Sequence, residues 1–180
     1  KVKKFINFST IWENYNGSKE TPFNLYSVSK LAFKKFISYY ANLNRNISFY
    51  NIYISDTYGF NDKRIKLINL LRYNYKNNKV TKLISKNLFM NLINIKDIIK
   101  GVELIINKRI KAGDYVLKND KNFSVFKLIS LINKSNNRMI KIKWNSSKLI
   151  SEKIYNFKIL PGWKPNYSGI NDLRKFIINF

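Results

Sequence analysis

The chain has 180 residues, enough for one ordinary domain with a sizeable core. Hydrophobic residues make up 45% of it and aromatic residues 16%, which favours a globular protein over a disordered one. It has no cysteine and no histidine, so disulfides, thiolate ligands and imidazole chemistry are excluded, and we expect no metal site. No apolar run approaches the ~18 residues of a membrane span and we recognise no signal peptide, so we expect a cytoplasmic protein without a membrane partner.

The net charge of +24 points at first to a nucleic-acid partner. The excess is almost all lysine, and asparagine and isoleucine are equally abundant, which is the signature of AT-rich codons. The lysines are also scattered through every segment instead of forming one basic block. We therefore expect no specific nucleic-acid partner. A basic RNA- or DNA-binding module stays the alternative, and it would need an ordered basic face with aromatic side chains set for stacking.

The first third of the chain is predicted to run strand, loop, helix, strand. Residues 3–10 form an apolar strand that ends in two hydroxyl side chains. A polar loop follows over residues 11–21, and an amphipathic helix over residues 23–42 begins beside a proline. Residues 47–55 alternate as a second strand. We expect the two strands to be parallel neighbours that are covered by the helix.

The rest of the chain alternates short strands with helices. The helices are predicted at residues 65–76, 97–107, 124–134 and 171–180, with Asp97 and Ser124 as N-terminal caps of the second and third. The strands are predicted as two short segments within residues 80–95, then residues 113–118 and 138–144. This alternation is typical of an α/β fold.

Two side chains on the first helix carry candidate chemistry. Tyr26 and Lys30 are four residues apart, so they share one helical face. A lysine ammonium beside a phenol favours the phenolate and lowers the tyrosine pKa below its ordinary value of about 10. That pair would form a general acid/base near neutral pH. A Tyr-x-x-x-Lys pair on its own is more often an ordinary part of an exposed helix surface. The motifs on either side of it therefore decide whether it is interpreted as catalytic.

That context is a series of short motifs in a fixed order. They are Ser9-Thr10, Pro22-Phe23-Asn24-Leu25-Tyr26-Ser27-Val28-Ser29-Lys30, Asp56-Thr57-Tyr58-Gly59, Leu92-Ile93-Asn94-Ile95-Lys96-Asp97, Gly113-Asp114-Tyr115-Val116-Leu117 and Leu160-Pro161-Gly162-Trp163-Lys164-Pro165. In this order they resemble the extended short-chain dehydrogenase/reductases, the branch of NAD-dependent sugar-nucleotide epimerases, dehydratases and reductases. In the last motif we expect Trp163 to be a packing residue.

The resemblance implies an α/β fold: the C-terminal half of a doubly wound, Rossmann-like parallel sheet with a small intertwined α/β lobe. Residues 1–59 would be the second half of the dinucleotide-binding domain, and residues 60–180 a substrate lobe interleaved with the last strands. The family's glycine-rich cofactor turn is missing, because the six glycines are isolated. We therefore expect an N-terminally truncated fragment that is inactive alone.

The implied activity is that of an NAD(P)-dependent nucleotide-sugar epimerase or reductase, with NAD or NADP as cofactor. Tyr26 would carry the proton of the sugar hydroxyl, Lys30 would hold the phenolate and the cofactor ribose, and Thr10 would bind the reacting oxygen. Tyr26, Lys30 and Ser55 would contact the cofactor. The resemblance also allows a homodimer of the full-length protein.

The residues expected to contact the substrate depart in places from the pattern of the family. Thr10, Asp56, Arg64 and Lys66 are the expected contacts, with Arg64 or Lys66 pairing with the diphosphate. Many relatives have asparagine at the Asp56 position, so its role is open, and an Asx-turn is the simpler interpretation. The Asp-Glu pair of the dehydratases is replaced by Ile11-Trp12, which argues against dehydration. A non-catalytic relative of the family is the second alternative.

Overall fold

The computed structural model describes residues 2–179, and these divide into two compact units. The first unit comprises the chain up to Ser55, Ile98–Lys118 and Lys153–Lys164. The second unit comprises Asp56–Asp97, Asn119–Glu152 and the chain from Pro165 onward. Within residues 2–179, every helix falls short of the length and apolar character that crossing a membrane requires.

The described residues form ten strands and five α-helices, with one to three strands before each helix. The strands are β1 (Lys4–Thr10), β2 (Ser48–Ile54), β3 (Asp56–Tyr58), β4 (Val80–Leu83), β5 (Leu88–Met90), β6 (Leu92–Asn94), β7 (Gly113–Leu117), β8 (Phe123–Ser124), β9 (Lys141–Trp144) and β10 (Ile150–Ser151). The helices are α1 (Leu25–Leu43), α2 (Leu67–Lys76), α3 (Ile95–Asn107), α4 (Val125–Ser135) and α5 (Ile170–Ile178).

The first unit is built on a parallel sheet with the strand order β1-β2-β7. The predicted parallel pairing of the first two strands is confirmed, with Thr10 opposite Ile54. In turn Ile54 lies opposite Leu117 on β7, so the three strands end level with one another. Polar residues that follow these ends therefore share one edge of the sheet.

Helix α1 packs on β1 and β2, as predicted. It begins at Leu25 because Asn24 caps it: the Asn24 side chain accepts a hydrogen bond from Ser27 N, and Ser27 Oγ accepts one from Asn24 N. Ser27 and Ile37 are the buried residues of this helix. The cap fixes where the helix starts and hence the position of its first turn.

A tight contact joins α3 to the end of β7. A Cβ atom at Gly101 would lie 2.8 Å from Leu117 Cδ1 and 3.4 Å from Trp163 Cδ1. Trp163 is buried, at 4% exposed. Its predicted packing role is therefore confirmed.

The second unit has three small sheets and an apolar core. The sheets are β10-β5-β8, the parallel pair β3-β6 and the parallel pair β4-β9. Helices α2, α4 and α5 contribute the core residues Leu71, Leu128, Ile132 and Leu173, all fully buried. The predicted Ser124 cap of α4 is confirmed, since its side chain accepts from Lys127 N.

The predicted Asp97 cap is wrong. Helix α3 begins at Ile95, and Asn94 accepts a hydrogen bond from Lys96 N at this end. Asp97 lies inside the first turn, fully buried, and accepts hydrogen bonds from the backbone N–H groups of Asn166 and Tyr167 and from the Ser168 hydroxyl. Its carboxylate therefore binds the segment 166–168 instead of capping its own helix.

Candidate active site

Two candidate residues lie at the carboxyl edge of the sheet in the first unit. Thr10 is the last residue of β1 and is 8% exposed. Its Oγ1 accepts a hydrogen bond from Trp12 N at 3.3 Å and so caps the 3-10 turn Ile11–Glu13. Ser55 follows β2 by one residue and is buried, and its Oγ has no hydrogen-bond partner among residues 2–179. Because Thr10 pairs with Ile54, the two hydroxyl residues occupy the same edge.

Tyr26 and Lys30 lie on the first two turns of α1. The Lys30 ammonium is 5.9 Å from the centroid of the Tyr26 ring. It donates a hydrogen bond to the Phe8 carbonyl on β1 at 3.0 Å. Tyr26 is 53% exposed. The lysine therefore ties the tyrosine-bearing turn to the strand that ends in Thr10, and it leaves the phenol accessible.

The substrate candidates of the second unit are already paired with one another or with nearby acids. The Lys66 ammonium lies 3.1 Å from Asp56 Oδ1. Arg64 forks onto Asp62 through two 2.7 Å hydrogen bonds, and its Nη2 also donates to Thr57. These hydrogen bonds lower the pKa of Asp62 to about 2. Any phosphate bound at Arg64 or Lys66 has to compete with a carboxylate.

A cavity of about 300 Å³ opens beside Arg64 in the second unit. Its lining residues come from the segment before α2 and from that helix: Asp62, Lys63, Arg64, Ile65, Asn69, Leu70 and Tyr73. Asp56 and Lys66 are not among them. This cavity therefore contains only one of the three substrate candidates of this unit, Arg64.

A charged cluster in the first unit was missed by the sequence reasoning. The Lys34 ammonium, one turn after Lys30, donates to the Tyr53 hydroxyl at 2.5 Å and lies 2.7 Å from Asp114 Oδ2. Burial acts to lower the pKa of Lys34, but the hydrogen bonds to Asp114 and Tyr53 outweigh it and the pKa is raised. Burial raises the pKa of Tyr53 to about 12, so this phenol keeps its proton.

A buried carboxyl group, Glu13, was missed as well. It ends the 3-10 turn that Thr10 caps and is 0% exposed. Burial raises its pKa to about 7, the Lys34 charge opposes this rise and the Asp114 charge adds to it. No sequence signal marks it, because residues 11–21 read as a polar loop.

Solved structures resemble this chain over almost all of its length. UDP-glucose 4-epimerase from Thermus thermophilus, in complex with NAD, superposes with a TM-score of 0.77 at 13% identity, over 97% of this chain and 63% of its own. UDP-glucuronic acid 4-epimerase from Bacillus cereus, in complex with UDP-glucuronic acid and NAD, gives 0.78 at 18% identity, over 98% and 62%. The chain has the Rossmann-like α/β fold of these nucleotide-sugar epimerase structures. The α/β fold class implied by the sequence resemblance is therefore confirmed.

Sequence comparison finds one curated protein that is similar to this chain. CDP-abequose synthase from Yersinia pseudotuberculosis is 28% identical over 105 residues, which are 58% of this chain and 36% of the relative. No family model matches the chain. The chain spans about three fifths of the length of the solved structures that it resembles.

Proposed function

We propose that residues 1–180 carry the catalytic tyrosine of an NAD(P)-dependent nucleotide-sugar epimerase or reductase. The observation that carries the proposal is the link between α1 and β1. Lys30 lies over the Tyr26 ring and is hydrogen-bonded to Phe8 O, two residues before Thr10. A positioned phenol can take up and return the proton of a sugar hydroxyl, and an ammonium and a second hydroxyl can bind oxygens that carry the developing charge.

Each of the three side chains has a distinct role in this proposal. Tyr26, half-exposed, takes the proton from the sugar hydroxyl or returns it to the carbonyl oxygen. Lys30 holds the phenolate. Thr10 Oγ1 accepts a hydrogen bond from Trp12 N, so its own hydrogen is free to be donated to the reacting oxygen.

The residues present fit a dinucleotide of the NAD class. The buried Ser55 hydroxyl, at the sheet edge beside Thr10, lacks a partner among the described residues, and a buried hydroxyl needs one. Ser55, Tyr26 and Lys30 would hold the cofactor, and when bound it supplies hydride transfer. The pyrophosphate-binding glycine-rich turn is not encoded in residues 1–180, so we propose that this chain alone does not turn over.

The substrate in this proposal is a nucleotide sugar. The similar proteins include CDP-abequose synthase and a UDP-glucuronic acid complex, both concerned with nucleotide-linked sugars. Arg64 and Lys66 are the proposed diphosphate contacts and Asp56 the proposed sugar contact. The substrate lobe is proposed for residues 60–180 and is interleaved with the last sheet strands. Arg64 would release one hydrogen bond to Asp62 to take a phosphate oxygen.

The catalytic proposal predicts a loss of turnover when Tyr26 is replaced by phenylalanine in the whole enzyme. Without the phenolic oxygen no side chain moves the proton, so turnover should fall at least about a hundredfold while the affinity for NAD(P) is unchanged. Turnover is measured with nucleotide-sugar substrates, and affinity by calorimetry. Tyr15→Phe is the matched control, since Tyr15 is another exposed tyrosine of the first unit. Unchanged turnover in Tyr26→Phe would end the proposal.

We also propose that a second copy of the chain pairs with it through α1. The outer face of α1 is formed by seven residues that are spaced by three and four along the helix. None of the seven is charged, although the chain has 34 lysines and arginines. Leu25, Phe36 and Leu43 on it are 83%, 61% and 63% exposed. We call this face, which opposes the core, the α1 face: Leu25, Ser29, Ala32, Phe36, Tyr39, Tyr40 and Leu43.

The order of residues along the α1 face is self-complementary. An antiparallel pair of α1 helices with its two-fold axis at residue 34 places Leu25 against Leu43. The same axis places Ser29 against Tyr39 and Ala32 against Phe36, so that each small side chain faces a large one. This is the pattern expected of an isologous interface.

A lysine in the middle of the α1 face should disrupt this dimer. Phe36→Lys would bring two charges together across the two-fold axis, so the dimer dissociation constant should rise at least about tenfold. Analytical ultracentrifugation measures it. Asn42→Lys adds the same charge outside the α1 face and should leave the dimer intact. A monomeric unmodified protein would contradict the pairing.

A further inference from the structure

A buried carboxyl group is bonded to the residue directly before Thr10. Glu13 has no exposed surface, and its Oε1 contacts Ser9 Oγ. Its Oε2 is enclosed and has no hydrogen-bond partner among residues 2–179. An ionised carboxylate with an unpaired oxygen in a closed site is costly, so the geometry favours the protonated form.

The charged groups around Glu13 do not compensate for that cost. Those that face it are Lys30 and Lys34 on α1, Tyr53 on β2, Asp114 on β7 and Glu20 in the following loop. Lys34 donates to Asp114 and Tyr53, and Lys30 donates to Phe8 O. Burial accordingly raises the pKa of Glu13 to about 7, so its proton is exchanged near neutral pH.

We propose that Glu13 is a positioning residue whose proton sets the direction of the Ser9 hydrogen bond and thereby the placement of Thr10. The protonated carboxyl donates to Ser9 Oγ. The ionised carboxylate instead accepts the Ser9 hydrogen, and the carboxyl proton leaves to solvent. No covalent bond changes.

The geometry explains how Thr10 would respond. Thr10 lies between Ser9 and the turn that ends at Glu13, and its own Oγ1 caps that turn through Trp12 N. The Ser9–Glu13 contact therefore closes a short ring of chain that contains Thr10. Reversal of this hydrogen bond changes the backbone at Thr10. Its effect on the reaction rests on the function proposed above for Thr10.

A carboxyl titration of residues 1–180 by NMR tests the inference without any turnover. The chain has four glutamates, at positions 13, 20, 103 and 152, so carboxyl-13C labelling gives four signals that Glu→Gln variants assign. The Glu13 signal should titrate with a midpoint near pH 7, and the Thr10 amide should shift with the same midpoint. The Thr10 response should vanish in Glu13→Gln, a neutral variant of the same shape, and persist in Glu20→Gln.

A second variant isolates the transmission through Ser9. In Ser9→Ala, Glu13 should still titrate well above the ordinary glutamate range, while the Thr10 amide no longer follows it. The inference is overturned if Glu13 titrates together with the other three glutamates, or if Thr10 follows the titration in Ser9→Ala or Glu13→Gln. Since no activity is measured, these outcomes are separate from a failure of the catalytic proposal.

Discussion

Replacing Asp97 by alanine should lower the free energy of unfolding of the second unit by at least about 3 kcal/mol. The carboxylate is fully buried and accepts hydrogen bonds from Asn166 N, Tyr167 N and the Ser168 hydroxyl at 2.8, 2.9 and 2.5 Å. Its removal leaves three donors without their acceptor, and each buried unsatisfied group costs about 1–3 kcal/mol. Urea unfolding followed by tyrosine and tryptophan fluorescence measures the change.

The control for this prediction is Asp120→Ala. Asp120 is exposed in the segment between β7 and β8, so the variant has the same change in net charge without the lost contacts. It should differ from the unmodified chain by less than about 0.5 kcal/mol. Equal stabilities of the two variants would contradict the anchoring role of Asp97. Hydrogen exchange at Asn166 N and Tyr167 N should accelerate only in Asp97→Ala.

Asp97 also illustrates what could not be predicted from the sequence. An acid just before an apolar helical pattern is a typical cap signal, and it suggested a helix start at residue 97. The side chain's partners lie about 70 residues further along the chain, where no local pattern points back to it. The Ser124 cap depends only on nearby residues and was predicted correctly. The parallel pairing of β1 and β2 joins residues 44 positions apart, and it was predicted correctly as part of the fold that the family resemblance implies.

Some residues of the candidate site could be predicted from the sequence and others could not. Tyr26 and Lys30 could be paired from their spacing, since helical geometry alone places them on one face. Lys34 and Asp114 are 80 residues apart, and only the parallel sheet brings β7 within reach of α1. The burial of Glu13 could not be predicted from the sequence either, because it depends on how a polar segment folds over the end of β1. The predicted roles of Thr10, Ser55, Asp56, Arg64 and Lys66 stay proposals.

Glu13→Gln should stabilise the first unit at pH 8 and leave its stability almost unchanged at pH 4. Burial raises the pKa of Glu13 from 4.5 to about 7 in the folded chain, so the folded state holds a proton that the unfolded state loses. Stability therefore falls as the pH rises from about 4.5 to about 7 and stays low above that range. The full loss approaches about 3 kcal/mol, and a neutral glutamine avoids it. Urea unfolding at several pH values measures the stability of both proteins as a function of pH.

The control variant is Glu103→Gln, at an exposed position on α3, and its stability should depend on pH as that of the unmodified chain does. Parallel curves for the Glu13→Gln variant and the unmodified chain would show that Glu13 is ionised in the folded state at neutral pH at no cost.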